Sequence, residues 1–244
     1  MTKWVWKGIR TGIKTTVYPR REETASGVSP GRPTGRHFAN EEDAQAVAGF
    51  CPTGALRSIK DDVLVNQEDC LHCFRCKQQD SASIDWEDGF EWAHFTAGGQ
   101  RLDRSFSRSL HIRILDAGAC GACMSEMKQI SSPYYNIHRL GFFITPTPRA
   151  ADVLLVAGPL ADHMKSPLKK CYEAMPEPKR VIAVGTCALS GGIFGPSFAV
   201  AAGIGETVPV DIEVPGCPPP PLAILHALLM VAGRSGEGKI KGRA

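Results

Sequence analysis

The 244 residues carry 28 Lys and Arg against 25 Asp and Glu, a formal charge of +3. That excess is too mild to imply a nucleic-acid binder, and no RRM, zinc-finger or helix-turn-helix pattern reinforces it. The length suits one medium domain with a small module, and no apolar run reaches the roughly 18 residues of a membrane span.

The basic excess is local: Lys3, Lys7, Arg10, Lys14, Arg20, Arg21, Arg32 and Arg36 are opposed in the first segment only by Glu22 and Glu23. Over residues 1–18 the first four of these recur at helical spacing, with Val5, Ile9 and Ile13 on the other face and Trp4 and Trp6 near the start. A basic amphipathic helix of this kind suits an anionic membrane surface or a partner's groove. A solvated terminus is the plainer alternative, because Gly8 and Gly12 weaken the helix. Arg20-Arg21 is followed by polar residues rather than the apolar stretch of an export signal, so a cytoplasmic location is expected.

Residues 19–37, rich in Pro, Gly, Ser and Arg, read as an extended connector, and residues 38–85 as a compact cysteine module. Residues 86–108 show no clear period and read as a linker. Short β-rich runs follow at LHIRIL (110–115), DVLLVAG (152–158), RVIAVG (180–185) and VPVDIEV (208–214). They alternate with helical segments near 123–130, 166–175 and 218–232, which predicts an α/β domain over 109–234 with a parallel sheet. Functional groups in such sheets sit on loops beyond the carboxyl ends of the strands. Residues 235–244 read as a flexible tail.

Nine cysteines, several two residues apart, read as metal ligands in a reducing compartment rather than as disulfides. Cys70, Cys73 and Cys76 form C-x2-C-x2-C, a loop able to aim three thiolates at one cubane cluster. In bacterial-type ferredoxins the run continues to a fourth cysteine followed by proline, which ligates the other cluster of a pair. Here Asp80 and Ser81 stand in its place, while Cys51-Pro52 upstream is the end of a motif whose own first three cysteines are missing. The crossed rule assigns Cys51 to the cluster of Cys70, Cys73 and Cys76, so one cluster survives and its twin is lost. A structural zinc site is the alternative, since it too accepts four thiolates at C-x2-C spacing. His72 and Arg75, between ligands, are solvated side chains or tune the potential.

This module resembles the ferredoxin-like modules of complex I and membrane-bound hydrogenases, as does the connector before it. The resemblance implies a small α+β domain with a single [4Fe-4S] cluster.

Cys120 and Cys123 follow LHIRIL, Cys187 follows VIAVG, and Cys217 follows VDIEV, so three strand ends deliver four thiolates to one edge of the sheet. The segments CGACMSEM, TPRAADVLLVAGPL, VGTCALSGGIFG and VPGCPPPPLAILHALL closely resemble the small subunit shared by energy-converting [NiFe]-hydrogenases, formate hydrogenlyase and complex I. The resemblance implies a flavodoxin-like fold and a second [4Fe-4S] cluster facing a partner large subunit. Cys120-Gly121-Ala122-Cys123 has the hydrogenase spacing rather than the adjacent cysteines of the complex I version. Glu126 matches a family acid and is either a helix N-terminal acid or a proton relay. Met124 stands where formate hydrogenlyase-type chains often carry a further acid. Arg149 matches a family Pro-Arg pair and reads as a loop residue. Cys171 reads as a buried thiol turned toward Leu168 and Met175, and His111, His138, His163 and His226 as packing or surface residues.

Two clusters in one chain imply a short wire rather than a catalytic centre, and no complete active site is visible. The implied assembly is peripheral on the cytoplasmic side of the membrane. Its partners are a [NiFe] large subunit, membrane subunits, and a soluble ferredoxin or another electron-transfer subunit. A nickel-free complex serving a quinone or other acceptor is the alternative, and a zinc-stabilised interaction module a remote one.

Overall fold

The computed structural model describes residues 3–21, 23, 25, 27–78 and 84–234. Glu22, Asp80, Ser81 and the tail 235–244 lie outside the described residues. Helix α1 (Lys3–Thr11) ends earlier than the pattern predicts, because Gly12 turns the backbone left-handed at φ 66°, and Ile13 and Lys14 fall beyond it. None of its residues is buried: Trp4 is 74% exposed and Trp6 61%. The chain then runs inward to Tyr18, whose ring meets the edge of Phe90 at 4.9 Å and whose hydroxyl donates to Glu91 at 2.8 Å.

Strands β1 (Arg32–Pro33) and β2 (Arg36–His37) lead to α2 (Glu41–Gly49). Asn40 caps that helix by accepting from the Asp43 amide, and Glu41, Glu42 and Asp43 place negative charge at its positive end. Strands β3 (Leu56–Ile59) and β4 (Asp62–Val65) complete an antiparallel sheet ordered β2-β4-β3. Ala44, Leu56, Val63 and Ile84 make its small core. The short helix α3 (Arg75–Gln78) follows.

Residues 86–108 are built into both parts of the chain. β5 (Trp86–Glu87) pairs antiparallel with β1, and β6 (His94–Phe95) joins the edge of the large sheet. Phe90, Trp92, Ala93 and Leu102 are buried in the main core.

The large sheet contains β7 (Leu110–Asp116), β8 (Phe142–Ile144), β9 (Val153–Ala157), β10 (Arg180–Val184) and β11 (Ile212–Val214). The spatial order is β6-β11-β10-β9-β7-β8, with every pair parallel except β6 on β11. Taken in chain order the five parallel strands run 2-1-3-4-5, the flavodoxin-like arrangement. The fold is therefore α/β, as the alternation of runs predicts.

VLLVA of β9 is buried at every position, and its period of two divides it between the two faces. Val153, Leu155 and Ala157 pack on the side of α4 (Ala122–Gln129) and α7 (Pro221–Val231). Leu154 and Val156 pack on the side of α5 (Asp162–Glu173). All eleven residues of α7 are buried, as its apolar all-round sequence demands. The five-residue α6 (Thr186–Ser190) lies directly after β10. Among the described residues, no helix is long and apolar enough to cross a membrane.

Candidate metal centres

The structure brings Cys51, Cys70, Cys73 and Cys76 to the wall of one cavity, with Leu71, Phe74 and Trp86 beside them. His72 and Phe74, on either side of Cys73, hold left-handed backbone at φ 47° and 60°. Non-glycine residues rarely adopt this conformation, and it accumulates where a loop is forced to aim side chains inward. Packing holds the turn: Phe74 stacks on Trp86 at 5.0 Å, and the Lys77 ammonium lies 4.9 Å from the same indole. Cys51 arrives from the end of α2, and the Thr53 hydroxyl ties its segment to the loop by donating to the Asp69 carbonyl at 2.8 Å.

Burial pushes the Cys70 thiol up to about 11, with the charges of Cys76, Cys51 and Cys73 adding to the rise. Burial also raises Cys76, again with Cys73 and Cys51 contributing. Burial acts upward on Cys51 too, but there the Thr53 hydroxyl and the amides of Thr53, Leu56 and Ala55 bond the sulfur and hold it below the usual thiol range. His72 is buried rather than solvated, neither ring nitrogen has a hydrogen-bond partner among the described residues, and burial lowers its pKa so that the neutral ring persists. Arg75 is exposed.

The second quartet assembles beyond the carboxyl ends of β7, β10 and β11. Burial pushes Cys123 up to about 12, and Cys217, Cys187 and Cys120 all contribute to the rise. Burial raises Cys187 to about 11, with Cys217 and Cys120 adding, and raises Cys217, with Cys120 adding. Cys120 is the exposed member.

Two glycines let the backbone approach these sulfurs. A Cβ at Gly185, where φ is 89°, would sit 2.5 Å from the Cys123 sulfur, and one at Gly192 would sit 2.8 Å from the Cys187 sulfur.

The donor sets fit iron-sulfur clusters. Burial holds Cys70, Cys76, Cys123, Cys187 and Cys217 toward the neutral thiol, and a cationic core removes that penalty by binding the thiolates outright. The close glycines and the amides on Cys51 supply the tight approach and N–H···S bonds by which a protein tunes such a group.

The quartets are linked. Thr186, adjacent to Cys187, donates its hydroxyl to the Cys70 carbonyl at 2.8 Å. Ser190 donates to the Glu68 carbonyl at 3.2 Å. Between them Trp92 donates its indole N–H to the Pro215 carbonyl at 2.9 Å, and its ring centre lies 5.9 Å from that of His72. The three hydrogen bonds join residues more than 100 positions apart, and the sequence carries no local signal for them.

Glu126 lies one turn inside α4, half-buried, and burial lifts its carboxyl above the usual range. Burial first, and then the Glu126 charge, raises the Tyr135 phenol. Cys171 packs against the core that holds Leu168 and Met175; burial raises its thiol, opposed by Arg113. Arg149 sits in a short 3-10 turn before β9. His226 is buried in α7, while His111 lies beside Asp152 at 3.5 Å.

Residues 120–231 match the family model described as NADH ubiquinone oxidoreductase, 20 Kd subunit. An uncharacterized protein of Methanocaldococcus jannaschii is 44% identical over 128 residues, covering 52% of this chain and 86% of that protein. Formate hydrogenlyase subunit 7 of Escherichia coli is 38% identical over 142 residues, 58% of this chain and 55% of that one, so the match spans about half its length. Among solved structures, a chain of the membrane-bound sulfane sulfur reductase, an archaeal respiratory membrane complex, aligns at 30% identity and a TM-score of 0.47, over 55% of this chain and 75% of that one. An NAD+-reducing [NiFe]-hydrogenase aligns at 20% identity and a TM-score of 0.44, over 55% of this chain and 97% of that one. With its five-stranded parallel core and strand-end cysteines, the chain belongs to the family of the complex I 20 kDa subunit and the hydrogenase small subunits.

Proposed function

We propose that this chain is the iron-sulfur electron-transfer subunit of a membrane-bound, hydrogenase-type complex, with two [4Fe-4S] clusters. Cys51, Cys70, Cys73 and Cys76 would hold one, and Cys120, Cys123, Cys187 and Cys217 the other. When bound, such clusters supply one-electron oxidation and reduction with little change of shape. The observation that carries the reading is the Thr186 hydroxyl on the Cys70 carbonyl, which binds a ligand segment of one quartet to the helix that presents Cys187.

The protein's own part is to hold the two quartets at fixed separation and to exclude water between them. Trp92 and Thr186 are buried, and the neutral His72 ring fills the space beside Trp92 without adding charge. Thr186→Val keeps the shape but strips the donor from the Cys70 carbonyl. A cost of about 1–3 kcal/mol in denaturant unfolding is expected, with iron content unchanged.

After α6, which carries Cys187 of the second quartet, Ile193 and Phe194 in a 3-10 turn and Phe198 beyond it stand exposed. That apolar rim suits a large subunit expected to carry a [NiFe] centre. Glu126, whose carboxyl burial lifts above the usual range, is the proposed proton relay at the same end. The exposed Trp4, Trp6 and Ile9 of α1, flanked by Lys3, Lys7 and Arg10, suit the anionic cytoplasmic face of the membrane, where the complex's membrane subunits sit. The electron partner at the first quartet is a soluble ferredoxin or another electron-transfer subunit.

Anaerobic determination of iron and acid-labile sulfide, with EPR of the reduced protein, tests the reading. Equimolar iron and sulfide sufficient for two clusters, with two interacting signals, is the expected result. Zinc in place of iron would overturn it.

A further inference from the structure

A third group of ligating side chains lies where the cysteine module meets the large sheet. Glu68 precedes Cys70 in the loop after β4, His94 lies in β6 and Glu213 in β11. Each offers one ligand atom, and the three atoms lie within 4.8 Å of one another, all three residues half-buried. Two of the three are fixed by sheet register: β6 and β11 pair antiparallel with His94 directly opposite Glu213, and the His94 Nε2 lies 3.0 Å from the Glu213 Oε2. The third is fixed by its backbone: the Glu68 carbonyl accepts from Ser190, and its amide donates to the Asn66 side chain at 3.2 Å.

The orientation of the imidazole is the independent observation. Its Nδ1 lies 3.4 Å from the Trp92 carbonyl, which can only accept. With Nδ1 held toward that carbonyl, Nε2 faces the carboxylates: it donates to Glu213 while the ring is protonated, a state the Glu213 contact favours by raising the His94 pKa, and it offers its lone pair to a cation that displaces this proton. That is the arrangement in which a backbone carbonyl sets the tautomer of a metal-binding histidine. Two carboxylates drawn out of water at one point repel each other, and a cation of charge two placed among them replaces the repulsion with attraction.

We propose that Glu68, His94 and Glu213 bind a divalent first-row metal ion of the zinc type, which clamps the cysteine module to the large sheet. One imidazole and two carboxylates, with a position left for water, form a donor set that zinc accepts. The clamp is distinct from both cysteine quartets: it contains no sulfur, and its ligands come from both parts of the chain. Its role is mechanical, fixing the Glu68 loop and with it the approach of Cys70 to Thr186.

The test uses the full chain, loaded with iron and sulfide under anaerobic conditions, freed of other metals by dialysis, and titrated with Zn2+ or Co2+. The wild type is expected to retain one zinc per chain after gel filtration, with a melting temperature that rises with zinc concentration. Glu213→Gln and Glu68→Gln, near-isosteric changes at partly exposed positions, are expected to weaken retention at least about tenfold with iron and sulfide unchanged. The Co2+ form should show weak ligand-field bands without the intense thiolate charge transfer that binding to stray cysteines would give. Three results would overturn the proposal: no zinc uptake by the wild type, equal uptake by the variants, or a thiolate-type Co2+ spectrum. A wild type that takes up no metal and loses stability as pH rises would assign the position to a protonated His94 bridging the carboxylates.

Discussion

Cys51→Ser is expected to remove about half of the iron and half of the acid-labile sulfide, leaving the signal of the second quartet intact. Cys51 is the one member of its quartet that lies outside the C-x2-C-x2-C loop, arriving from the end of α2. Serine keeps the volume but offers an alcohol whose proton iron displaces poorly. It also forfeits a sulfur that the Thr53 hydroxyl and three backbone amides already favour as thiolate. Three remaining cysteines leave one corner of a cubane open to water. Cys51 packs against the small core of Ala44, Leu56, Val63 and Ile84, and serine, of nearly the same size, keeps that contact. Iron and sulfide analysis with EPR of the reduced variant reads the result. Loss of both signals, or of neither, would contradict the ligand assignment.

Gly185→Ala is expected to do the converse, emptying the second quartet while the first stays loaded. The new methyl carbon would lie 2.5 Å from the Cys123 sulfur and 3.2 Å from the Gly216 carbonyl oxygen, and φ at 89° is itself unfavourable for alanine. Neither neighbour can give way. Cys123 is held on the buried face of α4, and the Gly216 carbonyl accepts from the Thr186 amide at 3.0 Å. Overpacking and a forced left-handed backbone together cost several kcal/mol, on the order of 2–4. A single methyl thus displaces two of the three segments that present the second quartet. The same iron analysis reads it. A variant that keeps its full iron would show that the close approach of Gly185 to Cys123 does not matter.

The five-stranded parallel core was legible because buried strands write themselves as continuous apolar runs, and VLLVA and VIAV did so. The second quartet was legible for a related reason: each cysteine follows such a run, and strand ends of a parallel sheet share one edge. Strands β5 and β6 escaped because two-residue strands have no period, and their partners lie far away, β1 upstream and β11 well over 100 residues downstream. α1 is shorter than its charge spacing predicts, because that spacing continues to Lys14 whereas the backbone turns at Gly12. Between its ligands His72 reads as either solvated or tuning the potential, and two tryptophans near it, one of them donating to Pro215, rule out the solvated reading. The pairing of His94 with Glu213 spans 119 positions and depends on register, which local sequence does not encode.

The placement of α7, buried along its whole length beside the strands that carry the second quartet, bears on the order in which a ribosome can complete the molecule. All four thiols of the first quartet have been synthesised by residue 76, and the module around them is closed by Ile84 in its core and Trp86 of β5 at the cavity wall. The second quartet waits for Cys217, and its floor for the eleven residues after Pro220. The nascent chain therefore passes through a stage with one loading-competent pocket and one open, cysteine-lined sheet edge. A chain interrupted before residue 231 would expose the apolar face that α7 covers, so cluster insertion at the second position is tied to the arrival of α7 rather than to the appearance of its first ligands.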